Sequence, residues 1–309
     1  MNLSPEKFDV VTVTLNPAID RTLTIPQFAA GHVNRVQSER SHPGGKGVNV
    51  ASALAGHGLL VAATGFLGRD NPESFETLFE QKEIEDCFVR IAGATRTGIK
   101  ITDPVQVQTT DINFPGFAPK ESDLEALEAE LADLEAEYFV LAGSLPVGVD
   151  PGIYARLIRS LHLRGMRVAL DTSGVALREG IEAGPDLIKP NLLELEEFLG
   201  KKLENQEAIL QAASTLVSTH GIGLVVITMG KEGALFVNAD EAIAVRPPEV
   251  EVGSTVGAGD AMIAGIIAGI LAKLPLEECA RLASAFSLNL LTEGRSQEAA
   301  SVERLSLPS

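Results

Sequence analysis

Short β-branched apolar runs alternate along this chain with helix-like stretches, and that alternation constrains its fold more than any other feature. Residues 10–15, 60–66, 139–142, 168–171 and 224–228 read as buried strands. Residues 47–56, 72–81, 151–163, 194–199 and 208–218 read as helices near or between them. Strands that are apolar throughout need cover on both faces, and helical crossovers supply it. The chain is therefore expected to be α/β, with a mostly parallel central sheet between helical layers. Ser122 and Glu125 have capping-box spacing ahead of LEALEAELADLEAEY, so the acidic run 121–137 reads as the wet face of one helix.

Two patches do not fit those layers. Residues 20–42 and 96–116 contain shorter, more polar segments (22–25, 33–39, 97–102 and 105–113), the latter two alternating apolar and polar residues. A period of two suits a sheet with one wet face. The two patches are expected to meet as a small β lid beside the core. With no repeat or long linker, 1–309 reads as one domain carrying that lid. Its partly apolar face (Ile99, Ile101, Val105, Val107, Ile112) predicts a homodimer through the lids.

Composition narrows the function. Lys plus Arg is 25 and Asp plus Glu is 42, a net charge of −17. That argues against nucleic-acid and anionic-membrane partners, which need basic surface. Cys87 and Cys279 lie far apart, and the five histidines form no HExxH pair, so neither a disulfide framework nor a zinc site is expected. The longest apolar run, 261–272, is twelve residues, against the ~20 a membrane span needs. It reads as a core helix in which Gly265 and Gly269 allow close packing. The opening residues MNLSPEKFDV lack a signal-peptide pattern, and a cytoplasmic location is expected.

Four glycine-rich segments carry candidate chemistry. Ser254-Thr255-Val256-Gly257-Ala258-Gly259-Asp260 runs straight into that apolar helix, so main-chain N–H groups and the helix dipole form an anion hole. Asp260 at its rim suits a base for an attacking hydroxyl, the alternative being a simple N-cap. Pro43-Gly44-Gly45-Lys46-Gly47-Val48-Asn49 joins open backbone to a cation and an amide, and matches neither a Rossmann fingerprint nor a Walker A loop. Lys189-Pro190-Asn191-Leu192-Leu193-Glu194 places two oxygen donors three residues apart, suited to hydrated Mg²⁺ or to helix capping. Thr228-Met229-Gly230-Lys231-Glu232-Gly233 follows a strand, as a ligand loop or a hairpin turn. Asp20 could accept from sugar hydroxyls. Arg96 and Lys100 could face a phosphate or only solvent. Ser144 lies outside a G-x-S-x-G elbow and is not read as a hydrolase nucleophile.

Together GGKGVNVA and STVGAGDA, with KPNLLE and TMGKEG in order between them, resemble the signatures of the ribokinase-like carbohydrate kinases over residues 11–291. The resemblance implies a ribokinase-like three-layer sandwich and ATP- and Mg²⁺-dependent phosphorylation of a hexose monophosphate. NPAID, GHVNR, GFLGRDN, TTDINFPG and AGSLP are most similar to members that phosphorylate the C6 hydroxyl of fructose 1-phosphate. Tagatose 6-phosphate and fructose 6-phosphate are the alternative acceptors. His32 and Asn34 stand where basic residues are expected for fructose 6-phosphate. A non-catalytic sugar-phosphate sensor is the rival from another class, and a nicotinamide-dependent dehydrogenase rests on glycine turns alone.

Carried onto this chain, the resemblance makes Asp260 the catalytic base and Gly257, Ala258 and Gly259 the anion hole. Asp20, Gly44, Gly45, Asn49 and Ser144 fall to the sugar, and Lys46 and Arg96 to its phosphate. Lys189, Asn191, Thr228, Gly230, Lys231, Gly233, Thr255 and Gly259 fall to the nucleotide. Asn191 and Glu194 would organise Mg²⁺ through water.

Overall fold

The computed structural model describes residues 7–106, 108–248, 257–292 and 299–308. β1 (Lys7–Thr14) leads into β2 (Ala18–Thr24) and β3 (Ser38–Gly44), followed by α1 (Lys46–Gly56). Then come β4 (Val61–Gly68), α2 (Glu73–Lys82), β5 (Glu85–Ile91), β6 (Arg96–Asp103) and β7 (Gln108–Asn113). The middle of the chain supplies α3 (Glu121–Asp133), β8 (Glu135–Ala142), α4 (Ile153–Leu163), β9 (Arg167–Asp171), α5 (Gly174–Ile181) and β10 (Leu187–Ile188). The last part supplies α6 (Leu192–Leu199), α7 (Gln206–His220), β11 (Leu224–Thr228), β12 (Ala234–Val237), β13 (Ala242–Arg246), α8 (Ala258–Leu271), α9 (Leu276–Leu291) and β14 (Ser301–Leu305).

Ten strands form the central sheet in the order β14-β13-β12-β11-β10-β9-β8-β1-β4-β5. Pairing is parallel from β11 to β5 and antiparallel from β11 to β14. Strand residues alternate between two cores. Val11, Val13, Phe139 and Leu141 pack with α3 to α7, whereas Val10, Tyr138, Val140 and Ala142 pack with α1, α2, α8 and α9. Both faces are covered, which is why these strands are apolar without interruption.

Four strands, in the order β3-β2-β6-β7, form the separate lid. β2 and β6 pair in parallel with Ala18 opposite Arg96 and Asp20 opposite Gly98, so the 20–42 and 96–116 patches do meet. The Asp103 carboxylate ties the lid loops together, accepting from the N–H groups of Gln27 (3.0 Å), Phe28 (2.7 Å), Val105 (2.9 Å) and Gln106 (3.2 Å).

Several local expectations are corrected. Residues 33–37 are not strand, and the lid strand there is β3, at the sheet edge, where Pro43 costs no ladder bond. The acidic helix ends at Asp133 instead of running through Tyr138. Residues 135–138 begin β8, because Lys7 and Phe8 of β1 pair with Glu135 and Ala136. The helix start is closed by the Lys120 N–H donating to the Asp123 carboxylate (2.8 Å), with Ser122 already inside the first turn. In the lid, Ile101 is buried, and Val107 lies outside the described residues.

α8 and α9 pack backbone to backbone. A Cβ built on Gly265 would fall 2.6 Å from the Ala283 Cα, and one on Gly269 would fall 2.8 Å from the Cys279 Sγ. Gly265→Ala is therefore expected to destabilise the protein by about 1–3 kcal/mol through overpacking, read as a lower urea midpoint at constant slope.

Candidate active site

The strand order reverses at β1, which has β4 on one side and β8 on the other, so a crevice opens beyond the carboxyl ends of β1, β8 and β9. α8 starts at this crevice. Gly257 takes a left-handed turn (φ 78°), a conformation that costs glycine little, and the free N–H groups of α8's first turn follow it. Asp260 sits in that turn, 7% exposed. Asn49, on α1, donates its side-chain N–H to Asp260 Oδ2 at 2.7 Å. Burial, reinforced by the negative charge of Asp171, pushes the Asp260 carboxyl up to about 6. The Asn49 bond and the ammoniums of Lys189 and Lys46 act against that rise.

Asp171 closes β9 with a fully buried carboxylate. Lys46, the first residue of α1, approaches its Oδ1 at 3.0 Å, and Lys189, after β10, approaches its Oδ2 at 3.6 Å. Oδ2 accepts no hydrogen bond among the described residues. Burial opposes the charge on Lys46, yet Asp171, Glu194 and Asp260 together hold its pKa above the ordinary value. The Lys189 ammonium also lies 3.2 Å from where a Cβ on Gly259 would stand, so the bare glycine lets this lysine lie against the start of α8. Lys46, expected on the sugar-phosphate side, therefore stands with Asp171, Asp260 and Glu194.

The backbone around Asp171 is pinned as well. The Gly143 N–H donates to the Asp171 carbonyl (2.9 Å). The Gly143 carbonyl accepts from the buried hydroxyls of Tyr154 (3.1 Å) and Thr172 (2.9 Å). Gly143 has φ 103°, and Ser144 follows it into the crevice.

The facing wall comes from the lid and the end of β1. Asn16 donates its side-chain N–H to Ser144 Oγ (3.2 Å) and to the Leu145 carbonyl (3.4 Å). Arg96 donates to the Asn16 carbonyl at 3.3 Å, while its buried Nε has no partner among the described residues. Burial pulls the Arg96 pKa below its usual value, and Asp20 partly restores it. Burial raises the Asp20 carboxyl against the pull of His42, Lys100 and Arg96. Lys100 itself, half-buried on the inner strand β6, pairs with Asp111 (3.5 Å).

On the far side, the Asn191 side-chain oxygen accepts from the Glu194 N–H and Glu194 Oε2 accepts from the Asn191 N–H, both at 2.8 Å. The pair is thus a capping box, which leaves Oε1 of Glu194 over. Asn191 also bridges Thr228 at the end of β11. Beyond Thr228 a 3₁₀ turn (Gly230–Glu232) holds Lys231 exposed, and Gly233 turns the chain into β12. Thr255, with Ser254 and Val256, lies outside the described residues.

The structure thus brings Asn49, Lys46, Lys189, Glu194 and Asp260 around Asp171, with Asp20, Arg96 and Ser144 opposite. Asp171, Asn16, Tyr154 and Thr172 were missed. Only the position of Asp171, an acid ending the buried strand Val-Ala-Leu-Asp at a ligand-binding edge, could have signalled it.

A glycine-lined helix start, a buried acid beside it and two lysines on one carboxylate are the parts of a phosphoryl-transfer site. The chain belongs to the pfkB family of carbohydrate kinases, whose family model matches residues 8–301. It is 48% identical over 287 residues to 1-phosphofructokinase of Rhodobacter capsulatus (92% of this chain, 90% of that one). It is 45% identical over 291 residues to 1-phosphofructokinase of Xanthomonas campestris (92% and 91%). Among solved structures it is similar to phosphofructokinase-2 from Escherichia coli in complex with substrates and products. That match has a TM-score of 0.87 and 30% identity, covering 93% of this chain and 94% of the other. ATP as co-substrate follows from the family. No helix among the described residues is long and apolar enough to cross a membrane.

A carboxyl held near 6 in the folded chain and near 3.8 in the unfolded one favours the folded state only while protonated. Its contribution is complete below pH ~4 and lost as pH rises through about 6. Asp260→Asn has no proton to lose. It is expected to be more stable than wild type above pH 6, by up to about 3 kcal/mol, and the advantage should vanish towards pH 4. Urea denaturation of both proteins across that range measures it.

Proposed function

We propose that this chain is an ATP-dependent 1-phosphofructokinase. It transfers the γ-phosphoryl group to the C6 hydroxyl of fructose 1-phosphate and gives fructose 1,6-bisphosphate. The observation that carries the reading is Asp260, buried at the start of α8 and hydrogen-bonded to Asn49, with the Lys46–Asp171–Lys189 cluster beside it. The relatives named 1-phosphofructokinase support the choice of acceptor.

In this reading the C6 hydroxyl meets Asp260, which takes its proton as the bond to phosphorus forms. The N–H groups at Gly257, Ala258 and Gly259 face the transferring group and stabilise its charge without reorganising. Lys46 and Lys189 offset the charge accumulating on the phosphoryl oxygens and on departing ADP. Asp171 holds both lysines in place and reduces their mutual repulsion. Asp20, Gly44, Gly45, Asn49 and Ser144 orient the sugar, and Arg96 receives its 1-phosphate. Thr228, Gly230, Lys231, Gly233 and Thr255 serve the nucleotide. The lid closes over the sugar and excludes water from the phosphoryl group.

Hard oxygen donors suit magnesium. Among the described residues, no three His, Cys, Asp or Glu side chains could cage a metal ion. The donors left over are the second oxygen of Glu194 and the orphaned Oδ2 of Asp171. Asn191 and Glu194, with Asp171, would therefore hold Mg²⁺ through water. When bound, it supplies charge neutralisation on the nucleotide phosphates. In this reading the enzyme draws on ATP in the cytoplasm.

Asp260→Asn is expected to lower kcat by about 10²–10⁴ with ATP binding retained. A coupled ADP-release assay over fructose 1-phosphate, fructose 6-phosphate, tagatose 6-phosphate and fructose tests the acceptor. The highest kcat/KM should fall to fructose 1-phosphate, and a better kcat/KM on another acceptor refutes the assignment.

The lid leaves Val33, Val36, Val105, Ile112 and Phe114 exposed. Apolar area of that kind on an edge-bearing sheet favours pairing with a second copy, and in this reading the enzyme is a homodimer through its lids. Sedimentation at micromolar protein should give the dimer mass, and Phe114→Asp should shift it to the monomer.

A further inference from the structure

α1 and α9 both pack on α8, and a groove of about 670 Å³ runs between them with Ala261 of α8 in its floor. Asn49, Ser52, Ala53, Gly56 and His57 recur at three- and four-residue spacing, so one face of α1 forms a wall. Leu282, Ala285, Phe286 and Asn289 form the facing wall from α9 in the same way. Small side chains on both walls, Ser52 and Ala53 against Ala285, leave the space between them open. From Asn49 to His57 the α1 wall covers about 12 Å of helix. The groove therefore leaves the active site at Asn49 and Gly257 and runs away from it along α1.

Its ionisable groups are all bases. His42 of β3, His57 and Lys82 at the end of α2 line the groove, and no Asp or Glu does so among the described residues. The chain carries 42 acidic residues against 25 Lys and Arg, so an acid-free lining stands out from the rest of the surface. Several exposed cations elsewhere are paired, as Arg21 is with Glu39, Arg156 with Glu128 and Arg281 with Glu277. Lys82, His57 and His42 have no ion pair or side-chain hydrogen bond among the described residues. The Lys82 ammonium lies over the end of α1, 3.7 Å from where a Cβ on Gly56 would stand. A lysine there also offsets the helix dipole, but that role asks for no cavity and no second base. The His57 ring stands edge-on to Phe286, 5.0 Å between centroids, and so bridges the two walls. Two bases thus meet at the far end of the groove, and Ala53, Leu282 and Phe286 give it apolar sides.

We propose that this groove is a second ligand site, separate from the acceptor and nucleotide sites, for a phosphate monoester with a flat apolar body. The phosphate meets Lys82 and His57, and the body lies between Ala53 and Phe286. A phosphate monoester carries about −1.5 to −2 charge at neutral pH, enough to engage both bases. The volume falls within the range of small-molecule sites and far exceeds what a bare phosphate ion fills. Ser52 and Asn289 supply further donors from opposite walls. The site goes beyond the acceptor reading and does not depend on it.

Phenyl phosphate is the probe, since it has the anion and the flat body but none of the hydroxyls of a sugar. Titrated calorimetrically into the full chain with saturating fructose 1-phosphate and ADP, a pair that cannot react, it should bind with a Kd below about 1 mM. Inorganic phosphate and phenol should each bind at least ~10-fold more weakly. Lys82→Glu should raise the Kd for phenyl phosphate at least ~10-fold, the loss of a hydrogen bond between charged groups. Ala285→Trp, which fills the groove from an exposed position of α9, should abolish binding. Both variants change surface residues, so kcat and both KM values should stay within about twofold and the melting temperature should hold. Absence of binding by the wild type, displacement of the probe by fructose 1-phosphate or ADP, or unchanged affinity in either variant overturns the proposal. So does inorganic phosphate binding as tightly as the ester. A wild-type protein that binds phenyl phosphate but turns over no fructose 1-phosphate overturns the functional reading alone.

Discussion

Two lysine ammoniums cannot share a desolvated cleft unless an anion lies between them. Here that anion is the Asp171 carboxylate, with Lys46 and Lys189 on its two oxygens. Most of the centre depends on this arrangement. It draws the start of α1 and the end of β10 to the same strand terminus. Through its own carbonyl, the same residue anchors Gly143 and with it the loop that bears Ser144. Its charge also raises the proton affinity of Asp260. One buried group therefore fixes the geometry and adds to what burial does to the proton affinity of Asp260, so a change at Asp171 alters both.

Burial of Asp260 shows how stability and chemistry compete at such a site. An ionised carboxylate that is 7% exposed is poorly solvated, and one side-chain N–H donor, from Asn49, compensates it. That same deficit leaves the carboxylate a better proton acceptor than an exposed aspartate, as a base for a sugar hydroxyl must be. α8 can carry this burden because the rest of it is apolar and packed closely on α9 through Gly265 and Gly269.

The legible parts of the fold were those where one local pattern sufficed. β9 and β11 are apolar on both faces, and β11 begins and ends where its β-branched run does. β10 was invisible, since two residues have no periodicity, and it exists because β9 and β11 offer ladders on either side. Residues 135–138 looked helical because Glu and Ala favour helix, and pairing with β1 outweighed propensity. β5, α5 and α9 were passed over for similar reasons, their polar faces masking the apolar ones. At the site, the glycine turns announced themselves because they leave N–H groups free. Asp171 did not, because its meaning comes from Lys46, 125 residues away in sequence. Tyr154 and Thr172 act on a carbonyl that only the folded backbone brings to them.

The lid's construction has a further consequence. Its two halves come from separate stretches of chain, stitched by the parallel β2–β6 ladder, and the backbone passes between core and lid four times, near residues 15–17, 45, 92–95 and 114–120. Such a sheet cannot flap on one hinge or be exchanged as a cassette, because α1, β4, α2 and β5 of the core lie between its halves. Asp20 and Arg96 stand on its two paired inner strands, so a displacement of one strand carries the other. Evolution of a new acceptor preference on this scaffold therefore proceeds by repainting the sheet's inner surface residue by residue, not by swapping lids.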